Sequence, residues 1–308
     1  MLPRTIVFVL DSLDAEKDET LTWALSLARW CDADLHVVHA RRSGRVTGAP
    51  GQMRRQEFGR IDSIVDRSGR AGGNATAAVL PGRPVRAIAG YSVRVGADLV
   101  VVTDRPRRRS GYWRTGAFGA ALAKAMPSPT LVLPAGLPQS RGSAGPFRSI
   151  VTAIDFSDLS LRALSQALVL AQVSGGRLTL VHALDGFPHE TVRGGSDALR
   201  LGRAFRASAG RINRELQSLI PSDALHWTGV DSTTMLGPAP QAILAQASSE
   251  RADLVVLGVP RRSRLTDLVA GSTVHKVVRW ATSPVLLVPG PWPPGLAPPA
   301  LVAVAALR

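Results

Sequence analysis

The chain contains one strand-like segment twice, and this internal repeat limits its fold more than any other feature. Asp98–Val102 reads Asp-Leu-Val-Val-Val, and Asp253–Leu257, 155 residues later, reads Asp-Leu-Val-Val-Leu. Other segments align in the same way: Gly82 with Gly237, Pro129–Pro134 with Pro284–Pro289 and, at a shift of 144, Ile6–Asp11 with Ile150–Asp155. The repeat predicts one domain fold formed twice, and 308 residues suffice for two domains of roughly 100–200 residues each.

The repeats set the expected domain boundaries. We predict a first domain over residues 1–136 and a second over residues 148–290. Residues 134–147 are rich in Gly, Pro and Ser, a composition typical of flexible linkers. Residues 291–308 form a Pro-rich tail.

Strand and helix signals alternate along each repeat. Thr5–Leu10 and Ser149–Ile154 are continuous apolar runs, as expected for strands covered on both faces. In the second repeat Leu161, Leu164 and Leu168 recur at helical spacing, and Ala171 closes this stripe; Ser157 before it is a candidate N-cap. Alternating strands and helices predict an α/β fold of two tandem, doubly wound parallel sheets with helices on both faces.

Composition narrows the functional classes. Cys31 is the only cysteine, which excludes an internal disulfide or a CxxC metal site. No apolar run approaches the ~20 residues of a membrane span, and no signal-peptide pattern opens the sequence, so we expect a cytoplasmic location and no membrane partner. The net charge of +14 suggests nucleic-acid binding, but no binding motif or aromatic platform accompanies it. We therefore expect no nucleic-acid partner, and interpret the densest Arg cluster, within residues 105–114, as a solvated loop.

A candidate anion site follows the repeated strand of the second repeat. Arg261 lies three residues after Gly258. Nine residues separate Arg261 from the pair Gly271 and Ser272. Glycines allow a backbone to approach a phosphate closely. The predicted helix Thr273–Trp280 would direct its free N–H groups toward an anion.

These motifs resemble those of tandem universal stress proteins, within the adenine-nucleotide-binding α/β superfamily. The resemblance rests on the strand ending in Asp155, Val181-His182, Gly237, Asp253–Gly258, Gly271–Arg279 and Ser283–Pro289. It implies five-stranded sheets of order 3-2-1-4-5. It also implies ATP held by a Gly-x-x-Gly, nine-residue, Gly-Ser/Thr motif. Carried onto this chain, the binding residues are Asp155, Ala183, Gly258, Gly271 and Ser272.

Both repeats depart from this motif. Arg261 replaces its second glycine; the side chain either blocks the phosphates or pairs with them through its guanidinium. In the first repeat the four positions are Thr103, Pro106, Gly116 and Ala117. We therefore expect nucleotide in the second repeat and a structural or interaction role for the first.

Other polar residues have simpler interpretations. Asp11 and Asp155 either cap the following helices or face a ligand, and for Asp11 the cap is favoured. His39 and His182 are interpreted as packed or hydrogen-bonded. Trp23 and Trp30 are expected to fill core, and Cys31 to be inert. No shared metal is expected for His36 and His39, which alternate on a strand.

Three functions stay open at this stage. The first is a stress-response sensor or regulator with one phosphate-ligand site, and the second a scaffold that acts through protein contacts. The third is a slow ATPase, although no Walker A, GxGxxG, HExxH or GxSxG motif supports an enzyme. We also predict that Thr130–Leu133 pairs antiparallel with Val285–Val288, forming an internal pseudo-dimer and leaving open a homodimer of chains.

Overall fold

The computed structural model of the chain describes most of both repeats. The described residues are 2–10, 19–41, 58–63, 65–66, 74–104, 117–134, 147–185, 195–222, 224, 229–260 and 273–291. The chain divides into two compact units, Met1–Gly142 with Val259–Arg308, and Ser143–Gly258.

Strands and helices alternate as the sequence predicts. The strands in the described residues are β1 (Thr5–Val9), β2 (Asp34–Arg41), β3 (Ala75–Pro81), β4 (Leu99–Asp104), β5 (Thr130–Pro134), β6 (Ser149–Ala153), β7 (Arg177–Leu184), β8 (Val230–Leu236), β9 (Leu254–Val259) and β10 (Val285–Pro289). The helices are α1 (Glu19–Cys31), α2 (Pro84–Arg94), α3 (Ala117–Ala125), α4 (Asp158–Ser174), α5 (Gly195–Ser218), α6 (Ala239–Ser249) and α7 (Thr273–Trp280). Residues 58–63 and 65–66 are also helical. Each predicted strand forms, with its ends moved by one or two residues.

The first unit contains a parallel sheet of order β3-β2-β1-β4-β5, which confirms the order 3-2-1-4-5 there. On β5 the sheet continues with β10, which runs antiparallel to it, with Leu131 opposite Leu286. The predicted pairing of the two last strands is therefore confirmed.

The second unit contains counterparts of the first four strands, whereas β10, predicted as its fifth strand, belongs to the first unit. The strands of the second unit have the order β8-β7-β6-β9, and all three pairs are parallel. The first strand of each repeat carries apolar side chains that are fully buried. These are Ile6, Val7 and Phe8 in β1, and Ile150 and Val151 in β6. This burial confirms that both faces of these strands are covered.

The Asp that begins the repeated segment fixes the start of the first strand in each repeat. One Asp98 carboxylate oxygen accepts hydrogen bonds from the backbone N–H groups of Arg4 (2.9 Å) and Thr5 (3.1 Å). Asp253 accepts the same pair of bonds from the N–H groups of Arg148 (2.9 Å), which precedes β6, and Ser149 (3.0 Å), which begins it. The repeated Asp therefore has a structural role, because it ties the fourth strand to the first.

Helix α4 differs from the predicted leucine stripe. Ser157 is its N-cap and accepts a hydrogen bond from the Ser160 N–H, as predicted. Leu164 and Ala171 are buried as predicted, but the rest of the buried face consists of small side chains: Ser160, Ala163, Ala167 and Ser174. Leu161 and Leu168 are only half-buried at the edges of this face. Small side chains let α4 lie close to β6 and β7, which leaves no room for a row of leucines.

Two further features complete the fold. Helix α6 starts at Ala239, so Pro240 occupies the second helical position, where an N–H would have no helical partner. Among the helices of the described residues, none is both long and apolar enough to cross a membrane.

Candidate functional site

Three of the predicted binding residues lie at one end of the sheet in the second unit. Asp155 lies two residues beyond the end of β6, Ala183 is the second-last residue of β7, and Gly258 is the second-last of β9. The register pairs Ala153 with Val181 and Thr152 with Val256, so these positions lie at similar heights on neighbouring strands. In doubly wound sheets, ligands bind beyond this carboxyl end.

Asp155 is held in a tight turn before α4. Its Oδ1 accepts hydrogen bonds from the Ser157 N–H (3.0 Å) and hydroxyl (2.5 Å). The Asp155 N–H in turn donates to Ser160 Oγ at 3.3 Å. Phe156, between Asp155 and Ser157, adopts a left-handed backbone conformation with φ of 63°. Ser157 caps the helix, while Asp155 orients Ser157 and keeps its carboxylate at the exposed edge of the sheet.

The same hydrogen bonds set the charge of Asp155. Partial burial by itself would raise the pKa of the carboxyl group, but the bonds from Ser157 and Ser160 outweigh it and lower the pKa below its usual value. Asp155 is therefore a carboxylate at neutral pH. An anionic group here suits hydroxyl groups of a ligand as acceptor, and it disfavours a phosphate placed directly beside it.

A histidine closes the turn from the neighbouring strand. The His182 Nδ1–H donates to the Ile154 carbonyl oxygen at 2.8 Å, and the ring lies 5.2 Å from that of Phe156. In the first repeat the His39 Nδ1–H makes the equivalent bond to the Leu10 carbonyl oxygen at 2.9 Å. Both histidines are thus hydrogen-bonded as predicted, and each ties its second strand to the end of the first.

Gly258 has a packing role at this edge. A Cβ atom at this position would collide with the Leu159 carbonyl oxygen and would lie 2.6 Å from its carbonyl carbon. The first turn of α4 therefore rests directly on the backbone at the end of β9. The glycine brings the helix start and the Asp155 turn to this part of the sheet.

The remaining binding residues of the second repeat are described only in part. Thr273 opens α7, whose predicted bounds, Thr273–Trp280, are confirmed. It belongs to the first compact unit. Arg261, Gly271 and Ser272 lie outside the described residues.

The first repeat differs at the position that corresponds to Gly258. Thr103 stands there, and its hydroxyl donates to Thr20 Oγ1 on α1 at 3.4 Å. Ala117 is the first residue of α3, where the motif would place a serine or threonine before a helix. Asp11, Pro106, Gly116 and the Arg-rich loop lie outside the described residues.

The other polar residues singled out in the sequence occupy separate surroundings. His36 Nδ1 is within hydrogen-bond distance of the Tyr91 hydroxyl (2.9 Å) and Thr76 Oγ1 (3.0 Å), partners unlike that of His39. Burial lowers the pKa of His36 and raises that of Cys31 to about 12, which favours the protonated thiol and thus the predicted inertness of Cys31. Trp23 is buried in the core, while Trp30 is half-buried. Within the described part of the chain, no three ligating side chains come together as a metal site.

Sequence reasoning missed the contribution of Ser160 and the left-handed turn at Phe156. The spacing Asp155-x-Ser157-x-x-Ser160 was the available signal. It places a carboxylate and two hydroxyl groups around the first helical turn, where serine and aspartate side chains bond backbone N–H groups.

Comparison with known proteins gives consistent matches. The model of the universal stress protein family matches residues 3–134 and 146–289. A relative from Thermus aquaticus, "Universal stress protein in QAH/OAS sulfhydrylase 3'region", is 35% identical over 145 residues, which is 46% of this chain and 98% of the relative.

Two solved structures match nearly the whole chain. A universal stress protein from Archaeoglobus fulgidus has a TM-score of 0.67 at 16% identity, over 92% of this chain and 98% of that one. A functionally unknown protein from Pseudomonas aeruginosa PAO1 has a TM-score of 0.59 at 16% identity, over 99% and 98% of the two chains. At these identities the two structures support the fold alone.

Proposed function

Because the chain belongs to the universal stress protein family, we propose that it is a stress-response sensor or regulator with one nucleotide site. The ligand we propose is ATP or a related phosphorylated nucleotide, bound by the second repeat. Asp155 and Ala183 would flank the adenosine. Residues of the binding motif, Gly258, Arg261, Gly271, Ser272 and Thr273, would serve the phosphates.

The Asp155 turn carries this proposal. A carboxylate fixed by two bonds to one oxygen has a defined orientation, and its lowered pKa keeps it an acceptor at neutral pH. A ribose presents hydroxyl donors that such an acceptor can bind. Ala183, on the adjacent strand, adds little bulk beside this turn.

The first repeat supports a division of roles between the repeats. Its Thr103 side chain fills the position where the second repeat has a glycine, and bonds to α1. Pro106 has no N–H group to offer a phosphate. We therefore propose that the first repeat binds no nucleotide and serves structure or protein contacts.

Titration calorimetry of the full-length protein with ATP tests the proposal. Ala183→Leu would place a larger side chain where we propose the adenosine, and should weaken binding at least tenfold. Ala40→Leu is the matched control, because Val38-His39-Ala40 of β2 corresponds to Val181-His182-Ala183 of β7. This control should bind ATP as the parent does.

Two other results would favour the alternatives. No heat of binding at millimolar ATP, with no nucleotide released on denaturation, would favour the scaffold acting through protein contacts. Phosphate release that is abolished by Gly271→Val would favour the slow ATPase.

A further inference from the structure

Helix α5 presents a cationic face that the proposed nucleotide site does not use. The side chains of Arg203, Arg206, Arg211 and Arg214 on this helix are all exposed. Residues 198–214 contain no Asp or Glu. Within the described part of the chain none of the four arginines forms an ion pair, so their charges face outward uncompensated.

The arginines form a stripe opposite the packed face of the helix. The inner face contacts β8: Leu216 is fully buried, and the Thr234 hydroxyl donates to Asn213 Oδ1 at 2.7 Å. At 3.6 residues per turn, Arg203, Arg211 and Arg214 lie within about 80° of one another, and Arg206 about 60° further round. From Arg203 to Arg214 the stripe is about 16 Å long.

The first repeat shows that this face is not a result of arginine-rich composition alone. Its helical residues 58–63 and 65–66 likewise lie between the second and third strands, with Ile61 and Val65 buried. The exposed charges there are mixed, since Asp62 and Asp66 accompany Arg60. In the sequence the 34 arginines look evenly spread. The helix in the second repeat instead carries no acidic residue over residues 198–214, and Glu215 follows directly.

The chemistry of the stripe favours one class of partner. Between the arginines, the exposed face offers Ala204 and Ala207 and no large apolar side chain. Protein interfaces are built around an apolar or aromatic core, and membrane-surface helices insert an apolar face. This face provides neither. The guanidinium group matches a phosphate diester in charge and in bidentate geometry.

We propose that the outer face of α5 binds the phosphate backbone of a nucleic acid without recognition of base sequence. A row of cationic side chains about 16 Å long fits a linear polyanion. The exposed Glu215 follows Arg211 by four residues, about 40° round the helix, and marks the C-terminal end of the row. This binding is independent of the nucleotide site and requires no ATP.

Salt dependence gives the expected magnitude. Each phosphate contact contributes about 0.9 to the slope of log affinity against log salt, so four contacts predict a slope of about −3.6. Between 50 and 200 mM salt the affinity should then fall about 100-fold. Each single Arg→Gln substitution in the stripe should reduce the slope by about 0.9.

The test is fluorescence anisotropy of the full-length protein with labelled 24-base-pair duplexes, two DNA sequences and one RNA, alongside phosphatidylserine vesicles. The stripe variant changes all four arginines to glutamine, which preserves helix propensity. A control with the same change in net charge substitutes four exposed arginines elsewhere: Arg29, Arg86, Arg162 and Arg177. Thermal unfolding should show that both variants are folded.

Three results together support the proposal. The stripe variant should lose at least 30-fold in duplex affinity, and the control variant less than threefold. The parent should bind both DNA sequences equally. Equal losses in the two variants, no duplex binding by the parent, strong preference for one sequence, or stripe-dependent binding to vesicles in place of duplexes would each overturn it.

Discussion

Substitution of Gly258 by alanine tests the contact that brings α4 onto the end of β9. The added Cβ would lie 2.6 Å from the Leu159 carbonyl carbon, 3.0 Å from the Leu159 Cβ, and nearer still to the carbonyl oxygen. Carbon atoms in favourable contact are about 3.5–4.0 Å apart, so the chain must open by about 1 Å. The colliding atoms belong to the backbone of a helical turn and cannot rotate away. Overpacking of this kind costs about 1–3 kcal/mol.

The assay is thermal unfolding followed by circular dichroism. At about 2–4 °C per kcal/mol, Gly258→Ala should lower the midpoint by about 2–12 °C. Gly210→Ala is the control, because a Cβ there meets nothing within 4 Å and alanine favours a helix by about 0.5–1 kcal/mol. The control should therefore unfold at the parent's temperature or slightly above it. If Gly258→Ala were as stable as the control, the close approach of α4 to β9 would be wrong.

Three further predictions concern named side chains. The lowered pKa of Asp155 means that its carboxylate stabilises the fold above its ordinary pKa of 3.8 and loses this effect as the pH falls through the lowered value. The midpoint difference between the parent and Asp155→Asn should thus close in acid, and a difference that stays constant down to about pH 3 would contradict the hydrogen-bond assignment. Ser157→Ala removes the N-cap of α4 and should lower the free energy of unfolding, measured in urea, by about 1 kcal/mol. Ser165→Ala, in the middle of the same helix, should leave it almost unchanged. Equal effects of the two substitutions would refute the cap. Cys31 is buried, and burial raises its pKa to about 12. At about pH 8 a thiol reagent should therefore react at least about 100-fold more slowly with the native protein than with the unfolded protein. Similar rates would contradict the burial of Cys31.

Much of the fold could be predicted because the strand signals are strong and occur twice. The apolar runs of β1 and β6 identify strands covered on both faces, and the repeat supplies a second reading of each element. The leucine stripe of α4 was predicted wrongly in detail, because hydrophobicity alone does not reveal how closely a helix approaches a sheet. There, the small residues Ala163 and Ala167 form the contact.

The candidate site was less accessible to sequence reasoning. Gly258 has the residue type of a phosphate loop, yet its glycine is required by the Leu159 backbone, a contact between segments 99 residues apart. The Asp155 turn depends on a left-handed backbone at Phe156, which no propensity predicts for an aromatic residue. The arginine stripe was hidden for a similar reason. Net charge does not show which side chains share one exposed face.

The stoichiometry of ATP binding tests the central claim, that the fold was kept in both repeats while one ligand site was kept in the second. Native mass spectrometry of the full-length protein at increasing ATP concentrations counts the bound nucleotides directly. The account predicts saturation at one nucleotide per chain. Two per chain would show that the first repeat also binds despite Thr103, and none at millimolar ATP would show that neither repeat is a nucleotide site.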